Sequence, residues 1–375
     1  MPEFDEAQLR SAITDGRIGA ISVDTSIFDK YQDNLKALML LQLRQFAGTS
    51  IPFVLSDVIV KEVEAHIAAN AREAKEKLWT ALKKLKSSWG LPQERDAMVK
   101  ALGVDVPPEE FAGTSIREYL AETKATIISS DGRVAVGSLI DMYFSAIAPF
   151  SHAADKKNEF PDAIALLGLE EWAKANRAMM VVVSNDGDWL SYARASEILI
   201  CVRDLPAALD LFNSEAGFIA SRALVALENK EAKEFEGAIN SAIEYFTEVF
   251  DPTYDAESYL EYELDYLETT FDEWEIWDRT DYKIVFADED EIVFSFKIRI
   301  DLEFAAVFLL SARDSVDRDY VSMGTSKGTA RDSLVLEVVV SMDRNIDPEP
   351  SIYSVQITPP RYNIRFGNID PDWQE

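Results

Sequence analysis

The chain has 375 residues, 47% of them hydrophobic, and a formal net charge of −30, which together predict two domains with sizeable cores. One cysteine and two histidines exclude an internal disulfide and a zinc site of the Cys₂His₂ type. The apolar runs are too short to cross a membrane and the N-terminus lacks the pattern of a secretory signal, so we expect a cytoplasmic protein.

Strands alternate with helices over residues 1–213. Residues 18–23 form a β-branched run that ends in Asp24, and this run predicts a buried strand. Further strands are predicted at residues 52–55, 178–183 and 198–202. Helices are predicted at residues 27–46, 57–88, 114–128, 136–147, 161–174 and 205–212. The alternation predicts an α/β domain with a mostly parallel sheet flanked by helices, whose ligands bind beyond the carboxyl ends of the strands.

The spacing of the apolar residues changes in residues 214–375. Residues 218–250 are helical in pattern, and residues 251–278 are very acidic with aromatic residues interleaved. After them, alternation with a period of two predicts strands at residues 282–286, 291–310, 333–342 and 351–358. We therefore predict a second, α+β domain with an antiparallel sheet over residues 214–375.

The second domain is also the acidic one. Residues 1–213 hold 23 basic and 31 acidic residues, whereas residues 214–375 hold 14 basic and 36 acidic residues. Such a surface repels nucleic acid phosphates, so this domain is a poor platform for nucleic acid. It could bind a basic protein or a second copy of the chain, or it could only keep the protein soluble, and the sequence leaves these alternatives open.

Four acids lie at the edges of the predicted elements of the first domain: Asp24, Glu62, Asp162 and Asp186. Taken singly, each has a structural interpretation as a helix cap, a favourable charge in a first helical turn or a solvated helix face. Carboxylates that converge on one cleft repel each other and need a cation. Oxygen ligands suit Mg²⁺ or Mn²⁺, which can activate water and stabilise the leaving oxygen of a phosphodiester.

The stretches that carry these acids resemble the PIN-domain nuclease superfamily. They read ISVDTSIF at residues 21–28, VIVKEVEAHI at 58–67, FPDAIALLGL at 160–169 and VVVSNDGDW at 181–189. Together they cover residues 18–213 in the order of the family. The chain is similar to a bacterial PIN-like subgroup with a long helical insertion between the second and third acids, followed here by a C-terminal extension. The resemblance implies a PIN-like Rossmannoid parallel sheet.

The resemblance also assigns roles to residues. Asp24, Glu62, Asp162 and Asp186 match the catalytic, metal-binding acids of the family. Asp188, two residues after the last acid, is a further candidate metal ligand. Ser184 matches a small hydroxyl residue that precedes the last acid, and it is a candidate for orienting a carboxylate or water and for contact with the substrate.

Other residues near these acids carry weaker signals. Glu64 competes with Glu62 for the place on the helix, and the resemblance favours Glu62, because the apolar Val63 follows it directly as an apolar residue does in the family pattern. Lys156 and Lys157 precede Asp162 and are candidate contacts to a substrate phosphate. His66, four residues after Glu62, is interpreted as a packing or supporting residue rather than a ligand.

The resulting hypothesis is an endonuclease that depends on Mg²⁺ or Mn²⁺ and hydrolyses phosphodiester bonds. The resemblance favours RNA over DNA as the substrate and a toxin-like or defence-associated role. Two alternatives stay open at this point: a PIN scaffold that binds partners without cleaving anything, and a phosphoesterase that acts on a small molecule. A complete set of four acids favours the nuclease over the inactive scaffold.

Overall fold

A computed structural model describes residues 4–89, 95–150, 159–213, 216–313, 320–345 and 350–371. The chain forms two compact units, Met1–Phe212 and Asn213–Glu375. The sequence analysis placed the division one residue later, after residue 213. Among the described residues, no helix is both long and apolar enough to cross a membrane.

The strands of the N-terminal unit all run parallel. They are β1 (Ile18–Val23), β2 (Val54–Ser56), β3 (Thr126–Ile128), β4 (Met179–Val183) and β5 (Leu199–Val202). Strand β4 pairs with β1 on one side and with β5 on the other, and β2 pairs with β3. A parallel bridge between Ile21 and Phe53 joins the two groups, so the order across the unit is β3-β2-β1-β4-β5. The α/β architecture is confirmed.

Burial on both faces explains why β1 and β4 are almost continuously apolar, as strands of a covered parallel sheet are. The two strands also approach closely at their starts. A Cβ added to Gly19 would lie 2.6 Å from the Cβ of Ala178, a separation that packed atoms do not tolerate. Glycine at position 19 therefore permits the pairing that places Asp24 beside the end of β4.

Helices cover the sheet and form the long excursion between β2 and β4. They are α1 (Glu6–Thr14), α2 (Thr25–Lys30), α3 (Leu38–Leu41), a 3₁₀ helix (Gln42–Phe46), α4 (Asp57–Trp89), α5 (Arg95–Ala101), α6 (Pro108–Thr123), α7 (Val136–Ser145), α8 (Phe160–Asn176), α9 (Gly187–Ala195) and α10 (Leu205–Asp210). The 33-residue α4 packs against α6 and α8. The predicted long helix is thus confirmed to within one residue.

Two predictions for this unit are wrong. Residues 27–46 do not form one helix, because Gln32 and Asp33 adopt positive φ angles of 55° and 54°, which turn the chain after α2. Residues 114–128 are not helical to their end either. Lys124, with a φ of 50°, closes α6, and the β-branched run that follows forms β3 beside β2.

The C-terminal unit packs two helices against an antiparallel sheet. The helices are α11 (Gly217–Glu228) and α12 (Lys233–Val249); the strands are β6 (Thr253–Glu257), β7 (Glu261–Ile276), β8 (Lys283–Ala287), β9 (Glu291–Arg313), β10 (Tyr320–Asp343), β11 (Ile352–Ile357) and β12 (Asn363–Asn368). The sheet has the order β11-β10-β9-β7, with β8 also paired to β9, and β12 forms a separate parallel pair with β6. The predicted antiparallel sheet is confirmed.

The core of this unit follows from the alternation along β9. Every second residue from Phe294 to Leu310 is buried, and this face meets the apolar side of α12 through Phe235, Ile239 and Ile243. Three of its strands were not predicted. In β7, Tyr262, Phe271 and Trp274 pack against the core and Tyr266 is exposed, because two bulges interrupt the alternation and hide it from the sequence pattern. Strands β6 and β12 are short and half polar.

Candidate metal centre

Asp24 lies directly after β1, at the carboxyl edge of the parallel sheet, and is 3% exposed. Its Oδ1 accepts a hydrogen bond from the backbone N–H of Thr25 at 2.6 Å. Its Oδ2 accepts hydrogen bonds from the hydroxyls of Ser26 and Ser184, each at 2.7 Å. Burial raises the pKa of Asp24, and these donors lower it. The carboxylate is therefore held in one orientation by neutral groups.

Ser184 connects two of the predicted acids. It follows β4, is fully buried, and its Oγ accepts a hydrogen bond from the backbone N–H of Asp186 at 3.0 Å while donating to Asp24. The backbone N–H of Asn185 donates to the Oγ of Ser26 at 3.1 Å. The turns after β1 and β4 are thus joined through two serine hydroxyls, and Asp24 lies between them.

Glu62 reaches the same edge from the second turn of α4. Its Oε2 accepts a hydrogen bond from the hydroxyl of Thr25 at 2.9 Å. Burial raises its pKa, and the negative charge of Asp24 raises it further. The competing Glu64 points elsewhere, because its Oε1 lies against Gly113 of α6, 3.1 Å from where a Cβ would stand.

Asp162 lies in the first turn of α8, and its Oδ1 accepts a hydrogen bond from the indole Nε1 of Trp189 at 2.8 Å. Burial raises the pKa of Asp162 to about 7, and the negative charges of Asp24, Asp186 and Glu62 contribute to the increase. A carboxyl group that senses three other acids lies in one electrostatic cluster with them. The structure therefore brings the four sequence-predicted acids to one edge of the sheet.

Asp186 is the most exposed of the four. It caps α9, and its Oδ1 accepts a hydrogen bond from the backbone N–H of Asp188 at 2.6 Å. Burial raises the pKa of Asp188, and the charges of Asp186 and Glu159 raise it further. Asp188 is thus at the outer margin of the cluster.

The cluster is open rather than tight. Within the described ranges, its carboxylates do not bring three ligand atoms within 4.8 Å of one another. Mg²⁺ keeps several of its water molecules and is commonly held by one or two carboxylates, so it does not need a closed cage. All four candidate ligands are carboxylates. Burial raises the pKa of Asp24, Glu62 and Asp162, and repulsion by neighbouring acids adds to the increase at Glu62 and Asp162; a cation would relieve both effects. The donor set fits a hard divalent ion.

Three supporting residues were missed by sequence reasoning. Thr25 and Ser26 directly follow Asp24, and their residue types favour helix caps, yet their hydroxyls hold Glu62 and Asp24. Trp189 gave no signal except its place three residues after Asp186. Lys156 and Lys157, the predicted phosphate contacts, lie outside the described residues.

The fold and the carboxylate cluster define a class: a parallel α/β domain with an acidic site at the carboxyl ends of its strands. A family model described as PIN domain matches residues 21–189, which supports assignment of this segment to the PIN-domain superfamily. PIN domains are typically metal-dependent nucleases. No curated protein and no solved structure shows significant similarity to the chain.

Proposed function

We propose that the N-terminal unit is an endonuclease that depends on Mg²⁺ or Mn²⁺, with Asp24, Glu62, Asp162 and Asp186 as its catalytic acids. The observation that carries this proposal is that Asp24, Glu62 and Asp186, from three other elements, lie close enough to the buried Asp162 to act on its carboxyl group. Carboxylates that are buried and repel each other destabilise a fold, and a bound divalent cation, which this donor set suits, would offset that cost.

Bound cations would supply charge to activate water and to stabilise the leaving oxygen of a phosphodiester. Other residues of the chain hold in place the carboxylates that would bind these cations. Ser26 and Ser184 fix the Oδ2 of Asp24, Thr25 fixes Glu62, and Trp189 fixes Asp162. Because these donors are neutral, they orient the carboxylates without cancelling their negative charge.

The proposal gives different roles to the outlying candidates. Ser184 is fully buried with its hydroxyl engaged, so we assign it to positioning Asp24 in place of the substrate contact that the sequence suggested. Asp188 would serve as an outer ligand beside Asp186. Lys156 and Lys157 would contact substrate phosphates. Within nucleic acids, RNA is the proposed substrate, and a toxin-like or defence-associated role would follow from it.

The test is cleavage of labelled single- and double-stranded RNA and DNA in Mg²⁺ and in Mn²⁺ by the full chain. Asp24→Asn and Asp162→Asn should each abolish cleavage while circular dichroism shows an intact fold. Glu62→Gln and Glu64→Gln form a matched pair on one helix. We expect the first to lose activity and the second to keep it, because Glu64 faces α6 rather than the cluster.

The outcomes separate the alternatives. Cleavage of RNA alone supports the proposal in full, whereas cleavage of DNA corrects the substrate. Hydrolysis of a small phosphoester without cleavage of any nucleic acid would identify a phosphoesterase. If no substrate is cleaved in either metal, the alternative of a PIN scaffold that binds partners without cleaving is favoured. Equal cleavage by wild type and the Asp→Asn variants would refute the assignment of these acids as catalytic.

For the C-terminal unit we propose a role in contacts with a protein partner or a second copy of the chain. Its long strand β7 places acids on the face away from the core, including Glu261, Glu263 and Glu268. This face repels phosphates and suits a basic protein surface. Light scattering of the full chain at low and high salt would detect self-association that depends on charge.

A further inference from the structure

A second group of ligating side chains lies outside the four-acid cluster. Asp29 is in the last turn of α2, Asp33 is in the turn that follows, and His66 is on α4. One ligand atom from each lies within 4.8 Å of the other two. Among the described residues, no other set of three histidine, cysteine or acidic side chains is as close. The two segments are joined side by side although more than thirty residues separate them.

The donor set differs in kind from the four-acid cluster. An imidazole nitrogen with two carboxylate oxygens suits Zn²⁺ and its neighbouring transition ions, whereas Mg²⁺ prefers oxygen alone. The Nδ1 of His66 lies 3.2 Å from the Oδ1 of Asp29, within hydrogen-bonding distance, and a bound ion would take the place of the proton between them. Two ligands at about 2.0–2.1 Å from a tetrahedral Zn²⁺ stand about 3.3 Å apart, so this pair already has the spacing of two ligands on one ion.

The surroundings support a ligand role. The side-chain amide of Asn70 donates a hydrogen bond to the Oδ2 of Asp33 at 3.0 Å, and such outer contacts orient metal-binding carboxylates. The side chains of His66 and Asp29 are 45% and 37% exposed, so an ion can reach them from solvent and they can adjust around it. A simple surface ion pair between these two residues would contribute little and would not need Asp33.

We propose that Asp29, Asp33 and His66 form a second metal site, suited to a Zn²⁺-type transition ion and adjacent to Glu62 of the four-acid cluster. The ion would tie the turn after α2 to α4, one helical turn beyond Glu62. The sequence interpretation of His66 as a supporting residue is thereby replaced by a ligand role. Water would complete the coordination, because three protein ligands leave a tetrahedral ion one open position.

Calorimetric titration of the full chain with Zn²⁺, in the presence of excess Mg²⁺ to occupy sites made of oxygen alone, tests the proposal. We expect one Zn²⁺ per chain. His66→Gln and Asp33→Asn should each weaken binding at least about tenfold. The matched control is His152→Gln, because the chain has two histidines and this variant removes the other one.

Pulsed electron paramagnetic resonance with Cu²⁺ in place of Zn²⁺ adds a direct readout. The signal of a coordinated imidazole nitrogen should persist in His152→Gln and disappear in His66→Gln. The proposal is overturned if Zn²⁺ does not bind, if His66→Gln binds it as tightly as wild type, or if His152→Gln is the variant that loses it. These titrations use no nucleic acid, so their failure and the failure of the nuclease proposal are distinguishable.

Discussion

Replacing Asp162 with asparagine should stabilise the metal-free protein at neutral pH. The pKa of Asp162 rises from an ordinary value of 3.8 to about 7, and at about 1.4 kcal/mol per unit this is a ceiling of about 4 kcal/mol for ionising the group in the fold. Asp162 is partly exposed, so water and side-chain relaxation reduce this cost, and we expect a gain of about 1–2 kcal/mol. Asparagine keeps an oxygen that can accept the hydrogen bond from Trp189.

The pH dependence gives the sign of the effect. In wild type, the folded protein binds the proton of Asp162 more tightly than the unfolded chain does. Protonation of Asp162 therefore contributes its full stabilisation of wild type below pH 4, and this contribution is lost as pH rises through about 7. Asp162→Asn removes this loss. The stability difference between variant and wild type should therefore be small near pH 4 and reach its full value above pH 7.

Thermal unfolding of the full chain in EDTA, from pH 4 to pH 8, measures this difference. A gain of 1–2 kcal/mol corresponds to an increase in Tm of about 2–8 °C for a unit of this size. Mn²⁺ at pH 7.5 should stabilise wild type more than the variant. The control is Asp141→Asn on the exposed face of α7, expected within about 0.5 kcal/mol of wild type. A variant less stable than wild type in EDTA at pH 7.5 would refute the account that burial and repulsion make ionised Asp162 costly in the fold.

Three further changes test the supports of the cluster and of the sheet. Ser184→Ala removes one donor to the Oδ2 of Asp24 and should lower stability by about 1–2 kcal/mol and weaken Mn²⁺ binding, as followed by calorimetry. Trp189→Phe keeps a buried aromatic ring, smaller than the indole, and removes the donor to Asp162; we expect weaker Mn²⁺ binding by about tenfold, and unchanged affinity would exclude a positioning role. Gly19→Ala places a Cβ 2.6 Å from that of Ala178 and should destabilise the N-terminal unit by about 1–3 kcal/mol in denaturant unfolding.

The sequence predicts best those elements in which the spacing of apolar residues is regular from end to end. Strand β1, helix α4 and strand β9 each have a long, unbroken pattern, and their predicted bounds are close to the observed ones. The pattern fails where the backbone departs from regular geometry. Positive φ angles at Gln32 and Asp33 divide a predicted helix, and two bulges in β7 hide the alternation of its core-facing residues.

The same limit applies to the candidate site. Residues that belong to a recognisable motif can be predicted from the sequence, whereas contacts that form only in the folded chain cannot. The acids were found because each stands beside a recognisable strand or helix end. Their supports were not, because Trp189 and Thr25 meet Asp162 and Glu62 only after the chain has folded, across 27 and 37 residues. Choosing Glu62 over Glu64 rested on one neighbouring apolar residue, whereas the contact of Glu64 with α6 gives a physical reason for the same proposal.

The chemistry of those supports explains how an acidic cluster can remain available for a cation. Serine and threonine hydroxyls, an indole and backbone N–H groups orient the carboxylates, and all of them are neutral. An arginine or lysine in their place would stabilise the acids by pairing with them, and a metal ion would then have to displace that partner. Neutral donors fix the geometry and leave the cost of burial and the repulsion largely in place, so the free energy that a divalent ion recovers by relieving them adds to the affinity of the site. The gain in stability expected for Asp162→Asn and the affinity expected for Mn²⁺ thus have one origin.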